Sequence, residues 1–293
     1  MKISILAWDA DFRESLHTVD FFADQDLDQN DYEFLWVDYY QSNDHVRKKV
    51  SQYANTRLIT LDHDKSRTWH LGQCINAGAA QAKGDLLVIP DGDIAVEKDF
   101  LSSVLESHQN QMNLVTYHKR YDEPKEAACR ESKTSIEHLK KKTRLINPTN
   151  YAGCLALHRD TFDRINGYEA HAAFAGPGIN GMETYIRLRN AGCLIKWEPA
   201  VRIYHPWHPS SGSAGHNDLK ALKEAKSAYP WIIPYAGLQQ SWIIHRREVL
   251  CETRADEAGC DRLLEQMPGL DTIRSQPVEK RSRLGNFMSF LRN

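Results

Sequence analysis

Over its first 120 residues the chain alternates short apolar runs with amphipathic stretches, and this alternation restricts the possible folds more than any other feature. The apolar runs predict strands near 2–8, 33–38, 57–61 and 85–90, and the 3.6-residue periodicity between them predicts helices near 13–24, 44–54 and 69–82. Strands joined through helices lie parallel in an α/β sheet, and ligands of such sheets bind beyond the carboxyl ends of the strands. Ala7 to Asp9, Asp38 and Asp91 to Asp93 all fall at such ends. A helix near 98–109 and a strand near 112–118 continue the pattern. Residues 121–150 are strongly charged and weakly periodic, as suits a mobile insertion or an exposed helix. The apolar pattern returns at Gly153-Cys154-Leu155-Ala156-Leu157, and residues 215–267 read as two or three helices forming a C-terminal appendage.

Composition removes several function classes. A formal net charge of −2 gives no electrostatic reason for nucleic acid binding, and no run of about 18 apolar residues is present to span a bilayer. The opening Met1 to Asp9 is polar again by residue 9, too short for a signal-peptide core, so cytoplasm is the expected compartment. The six cysteines contain no Cys-x-x-Cys pair, which argues against a zinc knuckle or a disulfide framework.

Asp91-Gly92-Asp93 follows the apolar run Leu86 to Pro90 directly. A strand that stops at two acids one residue apart aims carboxylates at one point. Such a point suits a hard divalent cation that shares its shell with substrate phosphates, although Asp-Gly after a strand is also what an ordinary turn contains.

The ordered set of local motifs resembles the glycosyltransferases of family 2, which have the GT-A fold. The nucleotide-sugar half of that family is matched by Gln25-Asp26-Leu27, Tyr32 to Asp38, Asn76-Ala77-Gly78, Ala82-Lys83-Gly84-Asp85 and Asp91-Gly92-Asp93. Its acceptor half is matched by Gly153, Phe162, Gly167-Tyr168, a helix with Glu183 and Arg187-Leu188, Ala191-Gly192, and His205 within Tyr204-His205-Pro206-Trp207-His208. The resemblance spans roughly residues 2–210. It implies a Rossmann-like, mostly parallel central sheet flanked by helices, with a nucleotide-sugar half over 1–118, an acceptor and catalytic half over 119–212, and a helical extension over 213–293.

The resemblance also implies a site. Asp38 would hold the nucleobase, Asp93 and His205 would ligate Mn²⁺ or Mg²⁺ with His208 as the alternative imidazole, and Asp91 would meet the ribose or the metal. Glu183 would be the general base of an inverting hexosyl transfer, and Gly153 and Gly178 would line the acceptor pocket. Donor contacts are expected from Ala7, Trp8, Asp9, Asn76 and Gly92. The implied reaction moves a sugar from a nucleoside diphosphate, UDP in the first instance, to a saccharide or lipid-linked acceptor in surface-glycan assembly.

The chain departs from the family pattern at three places. Ala7-Trp8-Asp9 replaces a Pro-Thr-Tyr-like sequence, and Trp8 is either a donor contact or core. Ile75 stands where relatives carry an arginine, so Arg67 or His70 is expected to face the phosphates. Gly181 stands where the base is expected, which leaves Glu183, Asp163 or Glu169 as acids for that role, or a module that binds nucleotide sugar without turnover. A nucleotidyltransferase is disfavoured, because residues 7–16 contain no glycine or lysine for a triphosphate loop. The basic segment Lys133 to Arg144 reads as a solvated helix face, with anionic head groups as the alternative. The tail Arg281 to Arg292 interleaves cationic and apolar residues, so it either makes weak peripheral membrane contact or packs on the body.

Overall fold

A computed structural model of the protein describes residues 2–11, 13, 15–128, 135–170, 175–176 and 180–209, together with the backbone of 243–245 and 248–251. The first four parallel strands are β1 (Ile3–Asp9), β2 (Tyr32–Tyr40), β3 (Thr56–His63) and β4 (Leu86–Pro90). They join β5 (Leu114–Asp122), β6 (Cys154–His158) and β7 (Leu194–His205) in one seven-stranded sheet of order β3-β2-β1-β4-β6-β5-β7. Only β6 runs against its neighbours.

The apolar runs are continuous because both faces of the sheet are covered. Ile5, Phe34, Trp36 and Val88 pack beneath α1 (His17–Ala23), α2 (Asp44–Val50) and α4 (Phe100–His108). Their neighbours Leu6, Leu35, Val37, Leu87 and Ile89 pack on the opposite face with Cys74 and Ile75 of α3 (Leu71–Gln81), Phe162 of α6 (Arg159–Arg164) and Leu188 of α7 (Asn180–Asn190). The alternation follows directly from the two-residue repeat of a strand.

Three elements differ from the expected boundaries. The first helix begins at His17, not near 13, because Asp11 takes a left-handed φ of 60° that turns the chain sharply after β1 and leaves Arg13 ahead of the helix. β5 extends to Asp122, four residues past its expected end, because its far half pairs in parallel with β7. The charged stretch contains α5 (Ile136–Lys142), anchored by buried Leu139 and by Lys140 on Glu97 at 2.6 Å. It therefore packs on the body.

The helices expected over 215–267 fall outside the described residues, except at β8 (Ile243–His245) and β9 (Glu248–Cys251). These two pair as antiparallel strands where helix was expected. The tail from Arg281 also lies outside the described residues. Among those described, no helix is long and apolar enough to cross a membrane.

Candidate metal and donor site

The register of β5 against β7 builds the site. Asp122 lies beside His205 in that pairing, and an antiparallel bridge joins Ala95 to Tyr204, with Ala95 N–H donating to Tyr204 O at 2.8 Å and Tyr204 N–H to Ala95 O at 2.9 Å. Residues more than a hundred positions apart are thereby fixed next to each other. β7 is an edge strand, which is why it tolerates Pro199 within its run.

At this junction Asp93, His205 and His208 present one ligand atom each, all within 4.8 Å of one another. His205 Nε2 is 3.6 Å and His208 Nε2 3.3 Å from Asp93 Oδ2, and the two imidazoles approach to 3.2 Å. His205 Nδ1 faces Asp122 at 3.1 Å. With its proton on that side, the ring presents the Nε2 lone pair to the cluster, and the carboxylate fixes its orientation. Asp93 is buried, and its Oδ1 has no hydrogen-bond partner among the described residues. An oxygen and two imidazole nitrogens with an unsatisfied buried carboxylate oxygen fit a divalent cation of the Mn²⁺ or Mg²⁺ type.

Two arginines stand among these acids. Arg13 pairs with Asp93 Oδ2 through Nη1 and lies 3.8 Å from Asp9 Oδ1, while its guanidinium carbon is 6.0 Å from the Trp8 ring centre. Burial lowers the Arg13 pKa, and Asp91 and Asp9 oppose that shift. Arg120 Nη1 is 3.8 Å from Asp91, and its Nε is 3.0 Å from Asp122. Asp91, expected among the metal ligands, lies outside the triplet. Burial raises its pKa against the pull of Arg13 and Arg120. His17 closes the floor, with Nε2 3.1 Å from the Asp93 carbonyl, and burial followed by nearby His205 lowers it to about 4.

Several expected contacts have other partners. Asp38 is buried, with Trp36 Nε1 donating to one oxygen at 2.6 Å and the Ser42 hydroxyl to the other. Asn76 exchanges two hydrogen bonds of 2.8 Å with the backbone of Tyr168, which ties α3 to the acceptor half. His70 is a buried cap that accepts from Gly72 N–H at 3.1 Å, and Arg67 is exposed beside Tyr39 and His63. Ala7 is core, and Trp8 packs against Trp69 with ring centres 5.1 Å apart and the rings tilted by 37°. Gly92 lets the acidic loop press on β1, since a Cβ there would lie 2.7 Å from the Trp8 carbonyl. Gly153 accepts from Asp91 N–H at 2.9 Å, and Gly178 lies outside the described residues.

Glu183 has a different setting from that of a free base. It is 1% exposed, and both of its oxygens are held by Arg187, Oε1 by Nε and Oε2 by Nη2 at 2.8 Å. Arg187 Nη1 in turn donates to the carbonyls of Ile165 and Gly167. This arrangement makes Glu183 the buried counterion that anchors α7. Gly181, where the base was expected, packs so closely that an added Cβ would lie 2.7 Å from the Tyr151 carbonyl. Sequence reasoning missed Arg13, His17, Arg120 and Asp122. Of these, Arg120-x-Asp122 was detectable in principle, as a same-face pair, had the strand been extended four residues.

The family model described as glycosyl transferase family 2 matches residues 16–165. No curated protein sequence matches the chain. Among solved structures the chain is similar to GalNAc-T7 crystallised with UDP, GalNAc and Mn²⁺, at TM-score 0.55 and 13% identity, over 75% of this chain and 45% of that one. It is also similar to the mannosyltransferase PcManGT of Pyrobaculum calidifontis in complex with GDP-Man and Mn²⁺, at TM-score 0.51 and 14% identity, over 72% and 58%. A third is residues 1–349 of S. aureus TarS in complex with UDP-GlcNAc, at TM-score 0.51 and 14% identity, over 74% and 62%. The chain thus spans between 45% and 62% of the length of these proteins, and at such identities the likeness is one of fold, the GT-A architecture expected from sequence. With the family model covering more than half of its 293 residues, this chain belongs to glycosyl transferase family 2.

Proposed function

We propose that the protein is a metal-dependent glycosyltransferase that moves a hexosyl unit from a UDP-linked sugar to a saccharide or lipid-linked acceptor. The observation that carries this reading is the convergence of Asp93, His205 and His208 at the carboxyl ends of the strands, with Asp93 Oδ1 unpartnered among the described residues and His205 oriented by Asp122. Asp93, His205 and His208 would hold the cation. When bound, it supplies positive charge that stabilises a departing diphosphate. Arg120 steadies Asp91 and Asp122 from the acceptor side, and the Trp8–Trp69 pair gives the donor an apolar wall. The three structural neighbours named above were each solved with a nucleotide or nucleotide sugar, which supports this class of donor.

A second reading rests on Glu183 and Gly181. A carboxylate enclosed by Arg187 and a glycine pressed on Tyr151 favour a module that binds nucleotide sugar without transferring it. One experiment addresses both readings. Nucleoside diphosphate sugars are screened for Mn²⁺-dependent thermal stabilisation, since a ligand that prefers the folded state raises the melting temperature. Those that stabilise are then assayed for sugar transfer, with the anomeric configuration read by NMR. Stabilisation lost in D93N together with transfer supports the enzyme, and stabilisation without transfer supports the module. No Asp93-dependent stabilisation by any donor rejects both.

A further inference from the structure

Arg13 occupies the place a metal ion would need. Its Nη1 contacts Asp93 Oδ2, the same oxygen that His205 Nε2 and His208 Nε2 face at 3.6 and 3.3 Å. A dication gripped by Asp93 and the two imidazoles would sit against this guanidinium, and two cations at such range repel strongly in a buried setting. One of them must leave Asp93.

The charge count indicates which one. By formal charge, Asp9, Asp91, Asp93 and Asp122 contribute four negative charges and Arg13 and Arg120 two positive ones, a formal net of −2 with all four carboxylates ionised. This excess draws in one dication and leaves a neutral cluster. A diphosphate approaching the metal-free cluster meets net negative charge. Approaching the loaded one, it meets the dication and an arginine that has lost its partner. Arg13 does not have to travel far, since Asp9 lies 3.8 Å from its Nε and the Trp8 ring lies beneath it at the mouth of β1.

We propose that Arg13 is a resident counter-cation, which holds Asp93 in the metal-free protein, yields it to the divalent metal, and then donates to the diphosphate of the donor. Metal and nucleotide binding are thereby coupled through one side chain. The inference rests on the metal site proposed above and adds the exchange. It would offset the charge of the buried acidic cluster whenever no metal is bound, and it gives the chain an arginine toward the phosphates although Ile75 stands where relatives carry one.

The test is a titration of the full chain with Mn²⁺, following free Mn²⁺ by EPR, with and without UDP. Wild type is expected to bind Mn²⁺ at least tenfold more tightly when UDP is present. In R13M the competitor is gone, so Mn²⁺ alone is expected to bind at least tenfold more tightly than to wild type, and the enhancement by UDP shrinks to about threefold or less. R13K, which keeps the charge but loses the planar fork, is expected between the two and serves if R13M does not fold. Mn²⁺ binding that is no tighter in R13M, an undiminished UDP effect, or an R13K protein matching wild type in both numbers overturns the exchange. D93N separates the two levels of the argument. If D93N binds Mn²⁺ as well as wild type, the metal site itself fails. Binding that D93N abolishes but R13M leaves unchanged overturns only the exchange.

Discussion

Replacing Glu183 by Gln separates a base from a buried counterion, because the two roles move different measurements. Arg187 makes four hydrogen bonds, two of them to Glu183, and both residues are 1% exposed. In E183Q one oxygen becomes an NH₂ donor facing a guanidinium, and Arg187 keeps its charge with Glu169 as the carboxylate that still acts on it. Removing one partner of a buried ion pair costs about 3–5 kcal/mol, because the remaining charge stays desolvated. At about 2–4 °C per kcal/mol for a domain of this size, the melting temperature falls by roughly 6–20 °C. The double replacement E183L/R187M removes both charges and is expected to recover most of that loss, since apolar pairs of similar volume often match a buried ion pair. The assay is thermal and urea unfolding of wild type, E183Q and E183L/R187M, alongside kcat for any donor found. If E183Q melts like wild type while kcat falls about a thousandfold, the scale expected for loss of a general base, Glu183 is the base and the counterion reading is wrong.

Two further outcomes follow from the same geometry. In D122N the His205 ring loses the carboxylate 3.1 Å from Nδ1, so Mn²⁺ affinity is expected to fall about 10–100-fold while the melting temperature without metal changes little, and isothermal titration checks it. Burial lowers His108 to about 3, with His158 and His118 adding to the effect, and burial lowers His118 to about 4. Both folded-state values lie below the ordinary 6.5, so the unfolded chain binds more protons between roughly pH 4 and 6.5. Stability is therefore complete above about pH 6.5 and declines on acidification, by about 1.4 kcal/mol per pH unit for each histidine. Urea titrations from pH 7 to 4.5 are expected to show a shallower decline in H118Q than in wild type, and parallel curves contradict the assignment.

The sheet was legible in the sequence because strands buried on both faces leave uninterrupted apolar runs, as in Phe34 to Val37 and Leu86 to Ile89, and helices between them leave a 3.6-residue pattern. The acidic loop was legible for the same reason, since Asp91 and Asp93 interrupt such a run where the chain leaves the sheet. The setting of Glu183 was not legible, because an acid on a helix of the acceptor half looks the same in sequence whether it faces substrate or core. The i,i+4 spacing to Arg187 carried the other answer. Asp38 was ambiguous in the same way, and its indole partner two residues back on the same face of β2 is visible only when the strand is drawn out.

Nothing in the local sequence placed Asp122 beside His205 or Arg13 beside Asp93, and the physical reason differs between them. Asp122 reaches the site through register: β5 and β7 run in parallel with Asp122 beside His205, and a slip of one residue would turn the carboxylate to the opposite face and leave the imidazole unoriented. The pairing of two strands separated by β6 and three helices is a property of the assembled sheet, and neither strand's own sequence encodes it. Arg13 reaches the site through one backbone dihedral. Asp11, at φ 60°, lies in a bend immediately after β1, and the helix that the periodicity predicts from residue 13 begins only at His17, which leaves Arg13 ahead of it and paired with Asp93. The proposed metal site is therefore held at one side by strand register and at the other by a single bend. On the proposed exchange between metal and Arg13 at Asp93 Oδ2, the bend at Asp11 is the local element whose geometry sets how firmly the site resists being loaded.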